Sequence, residues 1–176
     1  LAAICDVSFN EKKWEEVGLW ADQLVMSKPS PEALARGLYQ QGYAKYQLKK
    51  IEESIDSLSA ISELEVNKLW STRANYILGE CYNNLKNYTK AELSFLAALP
   101  GLGKPESTEC HYRLGITRFL LKKYTDSVQD LTIYLKEEPN GKYAKEATFY
   151  IARSNLETAE YDASGTSFAT LAEGEG

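Results

Sequence analysis

The chain has 176 residues, 44% hydrophobic and 26% charged, which is enough apolar material for a continuous core and argues against an intrinsically disordered segment. The formal net charge is −5 with both signs interspersed, so no clustered Lys/Arg surface is available for phosphates and no nucleic-acid partner is expected. No apolar run approaches the roughly 18 residues of a membrane-spanning helix, so no membrane span is expected.

Taken in chain order, the sequence repeats itself five times, over approximately 1–29, 30–66, 67–103, 104–140 and 141–176. The first copy has Cys5, a polar turn at Lys12-Lys13, Trp14 and Ala21, and closes at Pro29. The second opens at Ser30-Pro31 and runs through Gly42, Lys49-Lys50, Ile51 and Leu58. The third has Gly79, Lys86-Asn87, Tyr88 and Phe95, and closes at Pro100. The fourth opens at Pro105 and has Gly115, Lys122-Lys123, Tyr124 and Leu131 before Pro139. The fifth has Ala152, Tyr161 and Phe168, diluted by Gly165 and Thr166, which are poor helix formers. The small-residue slot thus recurs at spacings of 37, 37, 36 and 37 residues.

Apolar residues recur at helical spacing on both sides of each turn, so each copy predicts two antiparallel helices. The small slot lets the first helix approach the second closely, and the aromatic or branched residue after the turn closes the open end of the pair. Proline falls where helices start and stop.

The pattern Leu78-Gly79 to Tyr82, a turn, then Tyr88, Ala91 and Phe95 resembles the tetratricopeptide repeat across nearly the whole chain. The period of 36 to 37 resembles the longer repeats of bacterial envelope members of that family, as does the junction from Tyr124 through Pro139 to Ala147. The resemblance implies an all-α, right-handed α-solenoid of about five helix-turn-helix repeats, read as one domain over 1–176 and as an excerpt of a longer chain. It also implies a non-catalytic scaffold that holds a peptide or protein segment in a concave groove lined by the first helices. Self-association through the C-terminal face, where Phe168 and Leu171 need cover, is the alternative, as is a repeat segment of a larger enzyme or envelope machine. The period favours the periplasm or outer membrane, whereas three unpaired cysteines sit more comfortably in the cytoplasm.

One first-helix slot is aromatic in four successive copies, Tyr39, Tyr76, Tyr112 and Phe149, and predicts a ladder of rings joined by Tyr43, Tyr46, Phe119 and Tyr150. The same slot is equally suited to packing repeat on repeat. Arg36, Arg73, Arg113 and Arg153 lie on the same helices and offer donors to a bound backbone or its carboxylates. The turn lysines predict a basic ridge on an acidic protein, or simply wet turns.

No catalytic site, metal site or cofactor is expected. Cys5, Cys81 and Cys110 all occupy small packing slots, and Cys110 and the lone His111 are adjacent, so on a helix they diverge by about 100°. Gly101 to Pro105 is an inter-repeat loop and lacks the strand-to-helix context of a phosphate cradle.

Overall fold

A computed structural model describes residues 1–64, 66–158, 165–166 and 168–169. Among them are nine α-helices: α1 (Ala2–Asn10), α2 (Trp14–Met26), α3 (Pro31–Gln47), α4 (Ile51–Ser59), α5 (Lys68–Asn84), α6 (Tyr88–Ala98), α7 (Glu106–Leu120), α8 (Tyr124–Glu137) and α9 (Ala144–Glu157). No described residue is in a strand. Odd-numbered helices are the first helices of the repeats and even-numbered ones the second. In the fifth copy, Tyr161 and Leu171 lie outside the described residues, while Phe168 is half-buried with its ring 6.3 Å from that of Phe149. The chain forms two compact units, Leu1–Asn87 and Tyr88–Gly176, the division falling in the turn of the third repeat.

Within each unit the small slot acts as anticipated. A Cβ added to Gly42 would come within 2.5 Å of Leu58 Cγ, and one added to Gly115 within 2.6 Å of Leu131 Cγ. In these two repeats the first and second helices are therefore closer than any side chain at that slot permits. Twelve residues on, a serine completes the contact. Ser54 Oγ donates to the Gly42 carbonyl at 2.7 Å, and Ser127 Oγ donates to that of Gly115 at 2.8 Å. Both serines are fully buried, and the bond removes the cost of an unpaired hydroxyl.

The cysteines are packing residues, all three fully buried. Burial pushes the Cys5 and Cys81 thiols up, away from the reactive thiolate. Cys5 and Cys110 instead donate weakly to the carbonyls of Val17 and Phe95, at 3.8 and 3.7 Å.

The turn lysines have a conformational role that their hydrophilicity alone does not reveal. Lys12, Lys49, Lys86 and Lys122 all have positive φ, between 57° and 64°. Each of the first helices α1, α3, α5 and α7 ends in the same pair of bonds. In the second repeat the Lys49 N–H reaches the Tyr46 carbonyl and the Lys50 N–H reaches that of Lys45, and the pattern recurs at Lys12-Lys13, Lys86-Asn87 and Lys122-Lys123. This is the Schellman arrangement, whose left-handed position usually holds glycine. Lysine keeps its charge beside the negative end of the helix dipole, against the steric cost of a Cβ in that conformation. The second helix then starts immediately, with Trp14, Ile51, Tyr88 or Tyr124 as its first residue. Trp14 packs edge-on against Phe9 at 5.6 Å, and Tyr124 does the same against Phe119 at 5.6 Å.

Because the constraint is on the backbone, Lys122→Gly is expected to hold or raise the midpoint of urea denaturation, and Lys122→Val to lower stability by about 1–2 kcal/mol. Equal losses in the two variants would mean that the lysine side chain, and not the left-handed turn, matters there.

Candidate functional site

In residues 1–87 the first helices α1, α3 and α5 bring together a contiguous set of rings. Phe9 of α1 lies 6.2 Å from Tyr39 and 5.2 Å from Tyr43 of α3. Tyr39 lies 6.0 Å from Tyr43 and 5.9 Å from Trp70 of α5, and Tyr43 lies 6.4 Å from Tyr46. All five are partly buried, so each gives up part of its surface to the core and keeps part outside. Burial pushes the Tyr39 phenol up to about 12, with Tyr43 adding to it against the opposing charge of Arg73, so Tyr39 stays a neutral hydroxyl at ordinary pH.

Charge and polarity edge these rings. Arg36 pairs with Asp6 of α1, whose other oxygen accepts from Gln40 Nε2 at 2.7 Å. Arg73 is exposed, with its guanidinium 5.6 Å from the Trp70 ring centre. Glu32 fixes Trp70 by accepting from its indole N–H at 3.0 Å. Tyr76, the next ladder position, is partly buried and packs against the core of α3 to α5.

In residues 88–176 the slot behaves differently. Tyr112 is only 3% exposed and stacks on Tyr143 with ring centres 4.3 Å apart and planes 7° from parallel. Burial pushes its phenol up, and a hydrogen bond with Glu146 adds to that. Tyr112 therefore packs repeat on repeat, and a partner has little of it to touch. Phe149 is 41% exposed, and Tyr150 is partly buried between Phe149 and Phe119, at 5.5 and 4.8 Å. Arg113 reaches the Tyr143 hydroxyl at 3.1 Å, and Arg153 is exposed within 3.9 Å of Glu157.

Two features escaped the reading of slots one at a time. Trp70 lies 31 residues after Tyr39, and Tyr143 lies 31 after Tyr112. A recurring aromatic pair at that distance was the signal for both contacts. The other is a buried charge network on α6 to α8, in which Glu92 accepts from Arg118 Nε at 3.1 Å and from Lys123 Nζ. Arg118 also donates to Asp130 at 2.6 Å, and Asp130 faces His111 Nδ1 at 2.9 Å. The Glu92 and Asp130 side chains are 8% and 6% exposed. His111 is thus tied into an ion-pair network on three helices. No group of three metal-ligating side chains occurs among the described residues, and no described helix is long and apolar enough to cross a membrane.

Antiparallel helix pairs with this glycine-leucine register define a tetratricopeptide-like helical repeat protein. Solved structures with that fold include MamA from Desulfovibrio magneticus RS-1, 16% identical, with 97% of this chain and 90% of that one covered and a TM-score of 0.77. A second MamA structure is 16% identical over 98% and 94% of the two chains with a TM-score of 0.79. A MamA structure designated AMB-1 is 14% identical over 98% and 95% with a TM-score of 0.80. At such identities the likeness is one of fold. No family model matches the chain, and no curated protein matches it at a significant level.

The network gives a pH-dependent expectation. Burial pushes the Glu92 carboxyl up, but the hydrogen bonds and charges of Lys123 and Arg118 outweigh it and hold the carboxyl below its ordinary value of 4.5. A depressed carboxylate stabilises the fold fully above that value and progressively less as pH falls below it. Glu92→Gln is therefore expected to cost about 2 kcal/mol in urea denaturation at pH 7, with the gap from the parent chain closing as the pH is lowered below 4.5. A gap that is constant with pH would show that the charge contributes nothing.

Proposed function

We propose that the chain is a non-catalytic protein-interaction scaffold, and that the ring-lined face of α1, α3 and α5 holds a segment of another protein. The observation that carries this reading is the set of partly exposed rings of Phe9, Tyr39, Tyr43, Tyr46 and Trp70, edged by the exposed Arg73 and by Arg36. Rings of this kind offer large contact area at little rotamer cost, and arginine at the rim supplies charged donors to carbonyls and carboxylates. In residues 88–176, Phe119, Phe149 and Tyr150 with Arg153 are a second and smaller patch of the same character. Tyr76, Tyr112 and Arg113 serve packing under this reading. The repeat period of 36 to 37 supports a bacterial envelope setting.

Self-association through an end face is a second reading, and α1 supplies the observation that favours it. Leu1, Ile4 and Val7 are 48%, 48% and 55% exposed along one stripe, whereas the residues at the Val7 slot in later copies, Ala44 and Cys81, are fully buried.

Affinity capture from native lysate with Tyr43→Ala and Arg73→Glu variants, read by quantitative mass spectrometry, tests the first reading. With helicity retained, recovery of the specific partner is expected to fall about tenfold in the double variant. Undiminished capture would overturn the ring face as the site, and recovery of the chain itself as the main species would favour self-association.

A further inference from the structure

A cleft of about 260 Å³ opens between the start of α7 and the end of α8, lined among others by Thr108, Glu109, Tyr134, Glu138, Lys142 and Tyr143. It is smaller than the pockets that enclose most small-molecule ligands and has room for one long side chain. Two of its walls are phenol rings, with Tyr134 and Tyr143 at 6.3 Å between centres. Tyr143 is held rigidly: it stacks on Tyr112, its hydroxyl meets Arg113, and its backbone N–H donates to the Tyr134 hydroxyl at 3.1 Å.

Two carboxylates share the cleft. Glu109 accepts from the Tyr143 hydroxyl and from Arg113, each at 3.4 Å. Glu138 is exposed and its carboxylate has no partner among the described residues. Glu138 is also the C-cap residue of α8, whose C-terminal end adds negative potential. The positive end of α7 on the opposite wall is already answered by Glu106 and Glu109 in its first turn. Lys142 is the cleft's lining cation, and its ammonium lies 4.9 Å from the Tyr143 ring centre. The chain's own lysine thus marks where a cation rests against this aromatic wall.

We infer that this cleft is a second binding site, which takes a lysine or arginine side chain from another protein, with the incoming cation displacing the Lys142 ammonium from the Tyr143 ring and pairing with Glu138 and Glu109. The inference is independent of the ring face on α1, α3 and α5, and either can fail without the other.

The full chain carrying ¹³C-labelled tyrosine rings, titrated with Nα-acetyl-lysine methylamide and in parallel with Nα-acetyl-glutamate methylamide, tests it by NMR. The lysine probe is expected to shift the Tyr134 and Tyr143 resonances saturably, and the glutamate probe to leave them in place. Lys142→Ala, which removes the competing ammonium, should tighten lysine binding about threefold, and Glu138→Gln should weaken it by about the same factor. Glu109→Gln provides a second acidic variant, checked for retained helicity. The inference is overturned if the lysine probe gives no saturable shift, if the glutamate probe binds instead, if Lys142→Ala weakens binding, or if neither acidic variant weakens it.

Discussion

The contact between a side-chain-free position on one helix and a leucine on the next is what the second and fourth repeats depend on. Gly42 and Gly115 leave no room for a Cβ before Leu58 and Leu131, so each pair of helices has one depth of approach. The buried serine hydroxyls of Ser54 and Ser127, bonded to those same glycine carbonyls, add a directional constraint to a contact that would otherwise be purely steric. A slip along the helix would move the leucine off the glycine and leave the hydroxyl unpaired at once.

The turn fixes the remaining freedom. A first helix that ends in a left-handed lysine and a six-to-one backbone bond passes the chain to the second helix with no slack, and in the first and fourth repeats the aromatic that opens the second helix packs back onto the ring five residues earlier. With depth and turn both set, the outer positions of a first helix are free to vary. In residues 1–87 those positions are Tyr43, Tyr46 and Arg73, and the proposed partner-binding face is built there.

Most of the fold was legible because repetition multiplies weak signals. One Gly followed by a leucine sixteen residues later says little, but the slot recurring through Gly42, Gly79 and Gly115 fixes the helix pair and its register. The packing role of Cys5, Cys81 and Cys110 was legible in the same way, from alignment with small residues. The site was harder to read, since periodicity places a residue on a helix face without saying how deep it lies. Tyr39 and Tyr112 share a slot, yet Tyr39 is partly exposed and Tyr112 is sealed by Tyr143, a ring 31 residues downstream. The Glu92, Arg118 and Asp130 network was invisible for a related reason. Its two carboxylates occupy slots where the second copy carries uncharged residues, Ile55 for Glu92 and Ser57 for Asp130, so repetition hides what is particular to one copy.

A double-mutant cycle on Gly115 and Leu131, followed by urea denaturation, tests the glycine-leucine contact most directly. Gly115→Ala alone should destabilise by about 1–3 kcal/mol through overpacking, although alanine is the better helix former by about 1 kcal/mol. In a Leu131→Ala background the same change should cost at least about 1 kcal/mol less, the signature of two groups competing for one space. Additive losses, or a Gly115→Ala variant more stable than the parent chain, would contradict the account, because the glycine would then be an ordinary helical position and the register of the repeats would have to come from elsewhere.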